Sequence, residues 1–204
     1  MDLPVPSALA PGVAPPARIE VGELLLRAWR PEDLVPRFEA VADSFDHLHP
    51  WMDWLAEPTT LNRQREWDRA RGHGWPSDDR GFHYGVFAPD GLLLGAMSLH
   101  DRLGPPAMEI GYWCRAGHTG RGVITRRADA LTRIALSLPG IERVEIHCDA
   151  ANLRSAAVPR RLGYELDRVE PRPRRAPAES GRGMCWVKRR TLGPPGPEGG
   201  TVEG

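Results

Sequence analysis

Lysine is nearly missing from this chain: Lys188 is the only one in 204 residues, and arginine carries the rest of the positive charge. Basic and acidic residues balance at 27 each, so no net field points to nucleic acid as the main partner. Cysteine is scarce. Cys114, Cys148 and Cys185 are odd in number and far apart. They form neither a disulfide framework nor a metal spacing, which makes a reducing cytoplasm the expected compartment. No apolar run approaches the ~20 residues of a membrane span, so a membrane is not an expected partner. The opening "MDLPVPSALAPGVAPPAR" has no basic start leading into an apolar stretch and does not read as a signal peptide. No internal repeat is visible.

What is present fits one domain with a sizeable core. Residues 1–17 are rich in Pro and Ala and 193–204 in Gly and Pro, and both read as disordered tails around a single domain at 18–192. Inside it, "RIEVGELLLRAWR" predicts two short strands around Gly22. "PEDLVPRFEAVADSFD" predicts a helix entered at Pro31. "HLHPWMDWLAEP" reads as a loop or short helix, and "TTLNRQREWDRARGHGW" as a second helix capped by Thr59 or Thr60 and stopped near Gly72. "FHYGVFAPDGLLLGAMSLHD" predicts a hairpin about its "APDG" turn, and "PAMEIGYWCR" another strand. After a glycine loop come the helix "ITRRADALTRIALSL", the strand "IERVEIHCDA", the short helix "NLRSAAVPRRLG" and two antiparallel strands. The order predicts an α+β fold: a mixed, mostly antiparallel sheet flanked by about four helices.

The stretch "HTGRGVITRRADAL" has no acidic residue before Asp129, although helix starts favour acids in the first turn. A strand, a glycine loop and a helix start together make an anion site. First-turn amides lack intrahelical partners, the helix dipole adds positive charge, and glycine lets a phosphate approach closely. Two glycines alone fit a tight turn equally well. A P-loop would need Lys and Ser or Thr where Gly-Val-Ile stands, and a dinucleotide fingerprint would need a third small residue where Thr125 stands.

The stretch "EIGYWCRAGHTGRGVITRRADAL", followed by "NLRSAAVPRRLGYE", resembles the GNAT acetyltransferase superfamily, and more closely its RimJ/RimL branch, over about residues 20–190. The resemblance implies a GNAT-like twisted sheet with a central splay, acetyl-CoA as acetyl donor and an amine acceptor, either a protein N-terminus or a small molecule. A homodimer stays open, as does an acyl group longer than acetyl. The implied donor-binding residues are Trp113, Cys114, His118, Thr119, Gly120, Arg121, Gly122, Val123, Ile124 and Thr125, then Asn152 and Ser155. The superfamily pattern Gln/Arg-x-x-Gly-x-Gly/Ala falls on 119–124 and departs at Thr119 and Ile124. A degenerate domain that binds CoA without catalysis is therefore the rival reading.

Acetyl transfer to an amine needs a base for the amine and a hydrogen-bond donor for the departing thiolate. Many members place a tyrosine in the helix after the Asn; here Pro159 stands in that slot. Ser155 is then the nearest hydroxyl to serve sulfur. Glu109, acting through water, is the candidate base, and His100 and His147 are candidate proton relays. Trp51, Trp54 and Trp75 join these histidines as the candidate acceptor wall, with Asp78 and Asp79 as an acidic lure for a cationic amine. Arg172, Arg174 and Arg175 are expected away from it, in a solvated loop. Each residue also has an ordinary reading: Glu109 a solvated strand residue, Asn152 an N-cap, the tryptophans and histidines core. The histidines of "HLHPWMDW" show no spacing that argues for a metal.

Overall fold

The computed structural model describes residues 5–72 and 74–191. Its strands are β1 (Arg18–Val21), β2 (Leu24–Ala28), β3 (Gly81–Phe87), β4 (Leu93–His100), β5 (Ala107–Cys114), β6 (Arg143–Asp149), β7 (Glu165–Pro171) and β8 (Arg182–Arg189). The helices are α1 (Leu34–Ala42), α2 (Phe45–Leu48), α3 (Leu61–Arg71), α4 (Val123–Ser137) and α5 (Leu153–Arg161). The strands form one sheet in the order β1-β2-β3-β4-β5-β6-β8-β7. Every pairing is antiparallel except β5 with β6. The α+β fold expected from the element order is the one found.

The sheet has two unlike faces because side chains alternate along each strand. Phe82, Tyr84, Met97, Leu99, Met108, Ile110, Val144 and Ile146 point to one face and are buried against Ala128, Leu131 and Ala135 of α4. The other face carries His83, Ser98, His100, Gly111, Trp113 and His147, which line a cleft together with residues of α1 and α3. Thr60 caps α3, its hydroxyl accepting from Arg63 N at 3.2 Å. That choice between the two candidate threonines leaves Thr59 Oγ1 to accept from Gln64 at 3.0 Å.

Part of the stretch read as a disordered tail is packed. Leu9 is buried in the main core, Trp75 Nε1 donates to Pro15 O (2.8 Å) and Tyr84 OH to Pro16 O (2.9 Å). The Asp101 carboxylate accepts from Ala8 N at 2.7 Å. Composition alone did not reveal this, because the partners, Trp75, Tyr84 and Asp101, lie far away in sequence. Residues 193–204, read as the second tail, lie outside the described residues.

β5 pairs with β6 only from Ala107 to Glu109, against Arg143 to Glu145. Beyond that point β5 stays with β4 as far as Cys114, while β6 stays with β8 as far as Asp149. The two strands part in the middle of the sheet. The β4–β5 side is held tightly: a Cβ built on Gly95 would lie 2.4 Å from Trp113 O. Gly95→Ala is therefore expected to destabilise the fold by about 1–3 kcal/mol, as overpacking against fixed backbone does. Urea denaturation reads this directly, and an unchanged midpoint would contradict the close approach.

Candidate active site

Where β5 and β6 separate, a cleft of about 520 Å³ opens. Trp51, Trp54 and Trp113 line it on one side of the gap, and Tyr112, Cys148, Asn152 and Ser155 lie where it passes between the strands. Asn152 is the N-cap of α5, its Oδ1 accepting from Ser155 N at 3.1 Å. The cap reading of Asn152 holds, and the residue also lines the cleft.

Pro159 explains the next contact. A helix residue normally donates its N–H to the carbonyl four positions earlier; proline has none. The carbonyl so released is that of Ser155, and Tyr112 OH donates to it at 3.0 Å while lying 3.2 Å from Ser155 Oγ. Burial raises the Tyr112 pKa, so the phenol stays protonated. The helix that lacks the family's tyrosine thus receives a phenol from the neighbouring strand. Sequence reasoning noticed Pro159 and missed Tyr112, although the orphaned carbonyl was a signal that something had to bind there.

At the end of β5 a short 3-10 turn, Ala116–His118, leads into the glycine loop. Ser44 fixes that turn by accepting from Ala116 N at 3.0 Å, and Arg115 pairs with Asp43. Gly120 and Gly122 take left-handed backbone, with φ of 75° and 72°, which favours glycine. Gly122 is the N-cap of α4, no side chain caps it and no acid lies in the first turn. The amides from Gly120 to Ile124 meet no acceptor among the described residues. A Cβ on Gly120 would touch nothing within 4 Å, so the loop is open on its outer side. These features suit a phosphate. Val123 and Ile124 are buried in the core, so they can offer a ligand backbone rather than side chains, while Thr119 donates both Oγ1 and N to Ala116 O, at 3.2 and 3.4 Å. Arg121 is exposed and Thr125 and His118 are partly so. Cys114 is partly buried and outside the cleft lining, its thiol pushed up to about 11 by burial.

The candidate bases separate clearly. Arg102 binds both oxygens of Glu109 at 2.8 Å, and Glu109 is absent from the cleft lining. Burial would raise its carboxyl, but the hydrogen bonds and charge of Arg102 outweigh that and hold it below the usual range. A clamped, weakened carboxylate is a poor base. His147 lines the cleft, but its Nε2 is 2.8 Å from Glu145 Oε2. His100 also lines the cleft. Its Nε2 lies 3.6 Å from the position a Cβ would take on Gly111. Burial first, and the charge of Arg102 second, push its pKa down to about 4, so its imidazole is neutral at pH 7.

Two expectations about the acceptor wall are corrected. Trp75 is not part of the cleft; it packs edge-on against Phe82 and Tyr84, with ring centroids 5.1 and 5.0 Å away, on the core face of the sheet. The nearby Asp79 is already engaged within the chain, accepting from Ser77 Oγ at 2.7 Å and lying 3.1 Å from His83 Nε2 and from Arg71 Nε. The arginine-rich loop is not set apart either. Ala178 N donates to Pro50 O at 2.9 Å, which brings Arg172 and Arg175 to the cleft wall.

The neutral state of His100 has a consequence for stability. Its folded pKa, about 4, lies below the ordinary 6.5, so between those values the unfolded chain binds the extra proton and stability falls as pH falls. His100→Gln should flatten that decline between about pH 6.5 and 4. Urea melts of both proteins across this window check it; parallel curves would contradict the burial of a neutral imidazole.

Comparison with known proteins agrees with the fold. Residues 23–165 match the acetyltransferase (GNAT) domain family. A relative from Bacillus subtilis (strain 168), YdaF, provisionally named a ribosomal N-acetyltransferase, is 29% identical over 143 residues, covering 69% of this chain and 77% of its own length. The structure of RimL, a ribosomal L7/L12 alpha-N-protein acetyltransferase in complex with coenzyme A, superimposes with a TM-score of 0.73 at 21% identity, covering 84% of this chain and 97% of that one. The microcin C7 self-immunity acetyltransferase MccE, in complex with acetyl-CoA and AMP, gives 0.76 at 18% identity, covering 86% and 97%. At these identities the two structures establish the fold. With the family match spanning well over half of its length, the chain belongs to the acetyltransferase (GNAT) family, enzymes that take their acetyl group from acetyl-CoA.

Proposed function

We propose that this chain transfers the acetyl group of acetyl-CoA directly to a primary amine in a ternary complex, the acceptor being a protein N-terminus of the RimJ/RimL kind or a small-molecule amine. The observation that carries the reading is the parting of β5 and β6. It leaves backbone free on both strands and gives one continuous cleft access from the tryptophan side to Ser155. Acetyl-CoA supplies an activated acyl group as a thioester. The amides of Gly120 to Ile124 would hold its phosphates, and the free edge of β5, with Asn152, its arm. Ser155, oriented by Tyr112, donates toward the leaving sulfur. His100, which lines the cleft and is neutral at pH 7, takes the amine's proton once C–N bonding has made that nitrogen acidic. Holding both reactants in the cleft supplies a further share of the rate. The three cysteines are free, and we place the activity in the reducing cytoplasm.

The rival, a donor-binding domain without catalysis, rests on Thr119 and Ile124, and turnover separates the two. Ser155→Ala should lower kcat about tenfold to a hundredfold, what a hydrogen bond to a developing charge of about 1.5–3 kcal/mol is worth. Tyr112→Phe should follow with a smaller loss, and the KM for acetyl-CoA should hardly move in either. Gly122→Trp should abolish the thermal stabilisation that CoA gives the folded state. Full activity in both hydroxyl variants would remove Ser155 and Tyr112 from the chemistry. Undiminished stabilisation in a folded Gly122→Trp protein would remove the loop from donor binding.

A further inference from the structure

The acceptor side of the cleft is lined by Arg37, Arg71, Arg102, Arg172 and Arg175, against the carboxylates Asp53, Asp149 and Glu179. Counting charges hides how they are aimed. Arg37 pairs with Asp68, Arg71 with Asp79 and Arg102 with Glu109; in each pair the arginine lines the cleft and the carboxylate does not. Two of the three lining carboxylates are already engaged by donors of the chain, although Asp149 Oδ2, 3.9 Å from Arg172 Nε, has no hydrogen-bond partner among the described residues. Asp149 Oδ1 accepts from Ala151 N, Ser180 N and Ser180 Oγ at 2.7–3.0 Å. Glu179 accepts from Arg172 and from the amides of Arg175 and Ala176 at 2.5–3.3 Å. The third, Asp53, is half exposed and 4.0 Å from Arg175.

Three of the lining arginines have capacity left over: Arg37 at Nη1, and Arg71 and Arg172 at Nε, have no hydrogen-bond partner among the described residues. The Arg37 side chain is 4% exposed. Its Nε and Nη2 bind Gln64 and Asp68 at 2.8 and 2.7 Å, and its Nη1 has no partner among the described residues. Its guanidinium carbon lies 5.2 Å from the Trp29 ring centroid and 4.6 Å from that of Trp67, with Arg71 4.3 Å from Trp67. A buried guanidinium N–H without an acceptor is costly, and planar guanidinium groups suit oxyanions.

We infer that the acceptor carries an oxyanion, a carboxylate or phosphate, on the same molecule as its reacting amine, and that Arg37 and Arg71 receive it. This deepens the transfer reading and rests on it. It also reverses the expectation of an acidic wall for a purely cationic amine.

Titration calorimetry of the enzyme with CoA bound tests it without turnover. The probes are Ser-Glu-Glu-Phe, Ser-Gln-Gln-Phe and Ser-Lys-Lys-Phe, all amidated at the C-terminus. The acidic peptide should bind at least tenfold more tightly than the neutral one, and the basic one most weakly. The preference should shrink with added salt and fall to less than threefold in Arg71→Gln. Arg175→Gln, at an exposed loop position, should reduce it partly and serves if Arg71→Gln fails to fold. Free glutamate in a parallel titration separates the sources of such an anion. Binding as tight as the acidic peptide's marks a small amino acid, and much weaker binding marks a protein N-terminus; both uphold anion recognition. Equal binding of acidic and neutral peptides, or an undiminished preference in folded Arg71→Gln, would overturn it. Thiol release from acetyl-CoA with the same peptides is read separately. Acetylation without charge preference contradicts the anion inference alone, whereas charge-selective binding without acetylation contradicts the transfer reading alone.

Discussion

The pairing of β5 with β6 ends after Glu109 and Glu145, and the working part of the molecule is built around that ending. A fully paired parallel ladder would satisfy its own amides and carbonyls and leave a closed sheet. Here each strand keeps one neighbour, β4 or β8, and turns a free edge toward the other. Extended backbone with unpaired groups is a template for another extended chain, which is what the arm of acetyl-CoA offers. Tyr112 reaches from β5 to Ser155 at the start of α5, so a side chain ties β5 to the helix that follows β6 where the ladder has ended.

The same economy recurs in the polar groups. Pro159 removes a donor from α5, and Tyr112 uses the acceptor left behind. Arg102 satisfies Glu109 twice over and, by its charge, helps keep His100 neutral. One arginine thereby removes one candidate base and conditions another. On the acceptor side the carboxylates that balance Arg37, Arg71 and Arg102 lie behind them, so a nominally neutral region presents cations to the cleft.

The order of strands and helices was legible because period-2 and period-3.6 patterns, turn residues and caps agreed along the chain. The glycine loop was legible for the same reason: its left-handed backbone favours glycine, and the helix it opens has no side-chain cap and no first-turn acid. Asn152, Ser155, Trp51, Trp54, His100 and His147, singled out in the sequence, all line the one cleft. What failed depended on partners distant in sequence. Glu109 looks like an available base until Arg102 is seen to hold it. Trp75 looks like a wall residue until the carbonyl of Pro15 takes its indole N–H. Residues 5–17 have a tail's composition but find partners in Asp101, Trp75 and Tyr84. Arg172 and Arg175 look set apart from the cleft until the contact of Ala178 with Pro50 brings their loop to its wall, where Arg175 stays exposed.

Hydrogen exchange of the intact protein with and without CoA tests the central claim, that the parted edge of β5 and the glycine loop together receive the donor. The account predicts that CoA slows exchange at the amides from Gly111 to Cys114 that face the gap and at those from Gly120 to Ile124. The edge strand β7, at the far side of the sheet, should exchange as before. Protection confined to other segments, or a glycine loop protected while the β5 edge stays unchanged, would contradict it.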